Sequence, residues 1–144
     1  MHYDTDNGQW KLNPNTEYRS SGYDYTTDDK GRIIHAEGSL RLKDEGRLPL
    51  NAKVEDMQPG DDRGHIIGDQ FDGSNKVDNL LPQLSNVNRG EFKSHEGQLA
   101  KALDEGKPVN VSYDLSYGDD SKRPNGLIVD YTVGNDRNVR IFEN

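Results

Sequence analysis

Alternation of apolar and polar positions is strongest in the last third of the chain. Val109, Val111, Tyr113, Leu115 and Tyr117 fall on every second residue, as do Leu127, Val129, Tyr131 and Val133, and a last short run carries Val139 and Ile141. A period of two predicts three strands with one buried face, and short connections make them antiparallel neighbours. Arg123-Pro124-Asn125-Gly126 supplies the turn before the second of them. Upstream the period changes. Phe92, Leu99 and Leu103 fall with Asn88 and Glu96 within about 80° of one another at about 100° per residue, which predicts a helix with Asn88 and Glu96 near its buried edge. Gly106 and Pro108 end it. Between Tyr23 and Leu42, two strand-like runs flank Asp28-Asp29-Lys30-Gly31 and predict a β-hairpin. His65-Ile66-Ile67 reads as a short strand, followed by a polar loop and Asn79-Leu80-Leu81-Pro82-Gln83. Residues 43 to 62, broken by Pro49, Pro59 and Gly60, predict irregular structure with one short strand around Ala52 to Val54. Residues 1 to 15 lack periodicity and close on an Asn-Pro-Asn turn, so they are expected to be a leader or linker before a domain spanning 16 to 144.

A chain of 144 residues is the length of one ordinary domain. Only 30% of it is hydrophobic, and 15 Gly with 6 Pro mark frequent turns, so the expected fold is a polar, loop-rich α+β domain. The absence of cysteine excludes disulfides, thiolate catalysis and every Cys-based metal site. Any metal must then sit on His, Asn, Asp, Glu or carbonyl oxygens, ligands that favour Mg²⁺, Ca²⁺ or Mn²⁺. A net charge of −8 repels polyanions at long range and argues against a passive nucleic-acid coat. No apolar run approaches a membrane span, and the first 30 residues lack the apolar core of a secretory signal.

Several chemistries fail on spacing. No nucleophile elbow, dinucleotide fingerprint or P-loop occurs. His95-Glu96 opens a metalloprotease-like pattern, but Leu99 stands where its second histidine is needed. The acidic loop Asp69 to Asp78 lacks the spacing of an EF-hand calcium loop. What survives is a series: Asp62-Arg63-Gly64-His65, then Asn79-Leu80-Leu81-Pro82-Gln83, then Asn86-Val87-Asn88-Arg89-Gly90, then Glu96. These motifs resemble the DNA/RNA non-specific endonucleases of the ββα-metal (His-Me finger) superfamily. Gly31-Arg32-Ile33, Gly38-Ser39-Leu40 and Arg123-Pro124 look like the version found as C-terminal toxin modules of polymorphic bacterial toxins. The resemblance implies a ββα-metal core over about residues 50 to 106, packed with antiparallel strands, and sequence-tolerant hydrolysis of DNA, with RNA as a further substrate. It also implies Mg²⁺ with Mn²⁺ as a substitute, an immunity protein, delivery as part of a longer toxin and action in a target cell's cytoplasm.

Residue chemistry supports the same roles. Phosphodiester hydrolysis needs a base for the attacking water and positive charge on the phosphate. His65, an imidazole with a reference pKa of about 6.5, suits the base. The carbonyl of Asn88 is a neutral metal ligand that leaves a cation its full charge. Arg63, two residues before His65, projects to the same face of an extended chain, about 7 Å away, where its guanidinium can hold a phosphate oxygen. Arg89 is a second candidate for substrate contact. Asn79 is expected to orient Asn88 or the waters of the metal. Glu96 lies about 12 Å of helix rise beyond Asn88 and is expected to act as a support. The larger secreted members use a further upstream arginine, for which Arg41 or Arg47 is available, and the 14-residue interval from His65 to Asn79 implies a different intervening loop. The competing readings are a non-catalytic β-rich binding or adhesion module, with Asn88 as an N-cap, and a sequence-specific nicking relative.

Overall fold

In a computed structural model, residues 3–6, 9–43 and 54–144 are described. Six antiparallel strands form one sheet in the order β10-β9-β8-β5-β4-β3. These are β3 (Glu17–Ser20), β4 (Tyr23–Thr27), β5 (Ile33–Ser39), β8 (Val109–Ser116), β9 (Gly126–Val133) and β10 (Asp136–Glu143). Two short pairs lie outside it, β1 (Tyr3–Asp6) with β2 (Gln9–Leu12), and β6 (Asp61–His65) with β7 (Leu80–Leu84). One α-helix, α1 (Phe92–Asp104), follows β7. The α+β class and the three C-terminal strands match the expectation from alternation, as does the β4-β5 hairpin, whose turn contains Gly31 at φ +72°.

Three elements differ from the sequence reading. The first fifteen residues hold the β1-β2 hairpin, and Asn13 and Asn15 bond to Thr27 and Asp28 at the end of β4. The strand expected at Ala52 to Val54 falls largely outside the described residues, and Val54 itself is not in a strand. The helix does not begin as an α-helix: Val87–Glu91 forms a π-turn that runs directly into α1. A π-turn closes on i→i+5 bonds and carries more residues per turn, so angles projected at 100° per residue fail there. Asn88 sits inside this turn and caps nothing.

The core lies between α1 and the inner face of the sheet. From β8, Val109, Val111, Tyr113 and Leu115 point inward, and α1 answers with Phe92, Leu99 and Ala102. Phe92 meets Phe142 of β10 edge to face at 5.3 Å, and burial of such a ring contributes roughly 1.5–3 kcal/mol. The tyrosines do more than fill space. The hydroxyls of Tyr18, Tyr23 and Tyr25 donate to Asp78 O (2.6 Å), Phe71 O (2.6 Å) and Asn79 Oδ1 (2.8 Å), which ties the whole 66–79 loop to β3 and β4. On the opposite side, Arg123 forks onto the buried Asp61 (2.8 and 3.0 Å), and the Asn144 amide bonds Pro82 O and Pro124 O. The β6-β7 pair is therefore held from both ends.

His95 is fully buried in α1, stacked edge-on against Tyr131 at 4.8 Å and near Phe142, with no hydrogen-bond partner for either ring nitrogen. Burial, helped by nearby Arg140, pushes its pKa down to about 4. Unfolded, the same imidazole titrates near 6.5, so the unfolded chain binds the extra proton first as pH falls. The stability this neutral ring provides is complete above about pH 6.5 and is lost as pH falls towards 4. Urea unfolding at pH 7 and pH 4.5 is expected to show wild type losing on the order of 2 kcal/mol more than His95→Phe.

Candidate active site

In β6, Asp62 pairs with Gln83, Arg63 with Pro82, Gly64 with Leu81 and His65 with Leu80 of β7. Gly64 is needed because a Cβ there would overlap the Gln83 side chain. The two strands and the π-turn leading into α1 give the ββα arrangement. They wall an open cleft of about 1690 Å³ that receives Arg63, His65, Asn88, Arg89, Lys93 and Glu96. Five of the six residues proposed from sequence thus converge, although they span 33 positions of chain.

Asn79 does not join them. It is completely buried: its Oδ1 accepts from Tyr25 Oη and Ile67 N, while its Nδ2 donates to Ile67 O (2.8 Å) and Ser74 O (2.9 Å). The amide bonds Tyr25 of β4 and the loop that follows His65, and not Asn88. The expectation that Asn79 orients Asn88 directly is corrected: its bonds go to Tyr25 and to the loop it shapes. A polar group buried at this depth must be satisfied, and a loop end is where the unpaired backbone groups are.

That loop supplies what the motifs did not reveal. His65 Nε2 lies 2.6 Å from Asn75 Oδ1, Asn75 Nδ2 donates to Asp69 Oδ1 (3.3 Å), and Lys43 Nζ donates to the same carboxylate oxygen (3.1 Å). Because a carboxylate only accepts, Asp69 turns the Asn75 amide nitrogen towards itself and its carbonyl towards the imidazole. The proton must then sit on His65 Nε2, and the lone pair of the neutral ring is on Nδ1. Burial tends to raise the Asp69 pKa, but Lys43, Asn75 and the charge of His65 outweigh it and hold the carboxyl below its usual range. A proline-free polar loop after a histidine was the only sequence signal for this relay, and it does not single out Asn75.

Asp62 organises the other wall. Its Oδ2 accepts from Asn88 Nδ2 (2.9 Å), and Arg89 forks onto both oxygens (2.9 Å each). Burial raises the Asp62 pKa, yet the bonds from Arg89 and Asn88 win and lower it. With its nitrogen given to Asp62, Asn88 presents its carbonyl oxygen as the remaining polar atom. Arg89, expected as a substrate contact, lines the cleft with its guanidinium occupied by Asp62. Glu96 lies against Gly68, where any Cβ would collide with its carboxylate. Of the two upstream arginines, Arg41 is outside the cleft, bonded to Asp72 (2.9 Å) and stacked over Tyr23, and Arg47 falls outside the described residues. Lys43 is the cleft cation from that segment.

The cleft cations are mostly neutralised: Lys11 by Glu55 (3.4 Å), Lys43 by Asp69, Arg89 by Asp62. Among the described residues Lys93, exposed on the first turn of α1, has no ion pair. Lys93→Ala is expected to raise KM for DNA with kcat little changed. In fluorescence anisotropy with EDTA present, it should also reduce the slope of log affinity against log salt by about 1.

Two strands and a helix wall a cleft that pairs an oriented imidazole with arginine and an amide oxygen, and this is the plan of a ββα-metal nuclease, a phosphodiester hydrolase. The chain belongs to the DNA/RNA non-specific endonuclease family, whose sequence profile matches residues 14–135. It is 36% identical over 142 residues to the Type VII secretion system protein EssD of Staphylococcus aureus (strain USA300), covering 90% of this chain and 23% of EssD. It is 32% identical over 85 residues to the probable deoxyribonuclease RhsA of Dickeya dadantii, covering 58% of this chain and 6% of RhsA. The chain therefore spans about a quarter or less of the length of these relatives. The fold is similar to crystal structures of NucA from Streptococcus agalactiae, with magnesium ion bound (TM-score 0.72) and with no metal bound (0.70). Both share 18% identity and cover 99% of this chain and 82% of NucA. No helix among the described residues is long and apolar enough to cross a membrane.

Proposed function

We propose that this chain hydrolyses the phosphodiester bonds of DNA without sequence preference, with RNA as a second substrate, using one divalent cation, Mg²⁺ or Mn²⁺. The observation that carries the reading is the shared cleft of His65, with its proton fixed on Nε2 by Asn75 and Asp69, and Asn88, with its carbonyl set by Asp62. His65 Nδ1 takes the proton of the attacking water. Arg63, two residues along the same strand, binds a non-bridging phosphate oxygen. A single neutral amide oxygen suits a hard cation that keeps most of its waters, so Asn88 would hold the metal. Bound there, the ion supplies Lewis-acid stabilisation of the phosphate and the departing oxygen. Glu96, held against Gly68, supports that site from one wall, and Asn79 fixes the loop that carries Asn75.

The setting follows from the relatives. A secretion-system protein and a probable deoxyribonuclease that are both far longer than this chain support a toxin module, delivered into a target bacterium within a larger polypeptide and neutralised in its producer by an immunity protein. Purified chain incubated with supercoiled plasmid and with total RNA tests the reading. Cutting with Mg²⁺ and none with EDTA is expected, and a folded protein that cuts neither substrate with Mg²⁺ or Mn²⁺ overturns it.

A further inference from the structure

Three of the exposed large apolar residues share one small area on the side of the sheet opposite α1. Ile128 of β9 is 45% exposed, and Val139 and Ile141 of β10 are 56% and 70% exposed. Ile141 stands directly opposite Ile128 in the β9-β10 register. Among the described residues β10 has no strand on its outer side. The strand is eight residues long, pairs with β9 without a bulge, and contains neither proline nor lysine; its charges, Asp136, Arg137, Arg140 and Glu143, leave the exposed face apolar at Val139 and Ile141. Its turn is the two-residue Gly134-Asn135, with Gly134 at φ +60°. In such a hairpin Val133 and Asp136 exchange hydrogen bonds. The backbone groups of Arg137, Val139, Ile141 and Glu143 therefore point away from β9, to the open edge.

This edge is complementary to itself. If a second copy approaches antiparallel about a two-fold axis through Arg140, Val139 of each copy faces Ile141 of the other. Arg137, whose guanidinium is bound to Asp130 of its own copy (3.0 Å), comes opposite Glu143, which has no ion pair among the described residues, so the charges at the ends of the seam do not clash. All four residues are those whose backbone groups point outward, so the hydrogen-bond phase and the side-chain match agree. The two Val139-Ile141 pairs, flanked by Ile128 from each copy, make one continuous apolar patch. Arg140 lies on the axis but on the other face, with its guanidinium drawn along the strand over the Phe142 ring at 5.1 Å rather than across to its mate. We propose that β10 is an interface between two copies of this chain, which join edge to edge into one continuous twelve-stranded sheet with both clefts on its other face. The interface is isologous, so it closes on a dimer and does not propagate.

The absence of native cysteine permits a test of this register. In it, residue 140 faces its own copy in a non-hydrogen-bonded pair, with Cα atoms about 4.5 Å apart, within the roughly 4.4–6.8 Å that a disulfide spans. Mild oxidation of Arg140→Cys is expected to give a disulfide-linked dimer, whereas Asn138→Cys, which faces Phe142 of the second copy, is not cross-linked. Sedimentation equilibrium of wild type should show mass rising towards twice the monomer between micromolar and submillimolar concentrations, and Ile141→Lys should remain monomeric while keeping its circular dichroism. Wild type that stays monomeric throughout, Ile141→Lys that associates like wild type, or cross-linking no greater at 140 than at 138 would each overturn the proposal.

Discussion

Replacing His65 with alanine is expected to lower kcat for plasmid cleavage by about 10²- to 10⁴-fold, the range for loss of a positioned general base, with little change in KM. The imidazole is only half-buried in the cleft wall, so the variant should fold as wild type does. The same argument ranks a second variant. Asn75→Ala removes the acceptor at His65 Nε2 (2.6 Å) but leaves the ring, so the base survives with its tautomer and orientation unset. A smaller loss, about 10- to 100-fold, is expected, as for other groups that orient a reacting side chain without touching substrate. Asn75→Asp keeps an acceptor at Nε2 and should recover part of the rate, which a merely structural role for Asn75 would not produce. Initial rates of supercoiled plasmid nicking at saturating Mg²⁺ measure all three. Asn75→Ala with wild-type kcat would remove the relay from the account.

Asn88→Ala carries the second large effect. Among the described residues the Asn88 side chain makes one hydrogen bond, to Asp62 (2.9 Å), and otherwise offers the cleft its carbonyl oxygen. Its loss should cost the stabilisation that a bound cation gives a phosphoryl transition state, several kcal/mol, or about two to three orders of magnitude in rate. Calorimetric titration with Mg²⁺ should show weakened binding, and raised Mg²⁺ should restore part of the activity if affinity is what was lost. Asp62→Asn separates the amide's orientation from its presence. It retains an oxygen for the Asn88 amide but gives up the charge that holds Arg89, so Mg²⁺ binding should fall less than in Asn88→Ala. Mg²⁺ binding unchanged in Asn88→Ala would move the metal elsewhere in the cleft.

What could be read from sequence divides along physical lines. The C-terminal strands were legible because one face of each is buried in the single core, and the resulting period of two is a property of the chain itself. That His65, Arg63 and Asn88 share one cleft was legible through the motifs that resemble the endonuclease family, whose order β6, the loop and the π-turn carry. The π-turn itself was not, because a five-residue departure from 3.6 leaves no mark in so short a polar run as Val87–Glu91. Asn79 belongs to the motif yet turns inward, as the hydrogen-bonding centre of the loop. Asn75, four residues from it and without a motif position, is the one that reaches His65. Both are asparagines in a polar loop, and the one that is buried is bonded by the hydroxyl of Tyr25, 54 residues upstream, as well as by Ile67 and Ser74. Likewise Arg89 looked like a free cation beside a metal ligand, and a bidentate pair with Asp62, 27 residues away, accounts for it. Contacts of this separation are set by tertiary packing and have no local periodicity to betray them.

The same pairing explains how a chain of net charge −8 serves a polyanionic substrate. Acidic partners fix the geometry of the cleft cations and cancel much of their long-range field, so catalysis rests on a few oriented groups rather than on a broad basic surface. Of these we propose His65 as the base, and the most direct test is chemical rescue of the His65→Gly variant. With plasmid DNA and Mg²⁺, that variant is expected to be nearly inactive and to recover cleavage when free imidazole is added, in proportion to its concentration, while Asn88→Ala gains nothing from imidazole. A His65→Gly enzyme that cuts as fast as wild type would contradict the account.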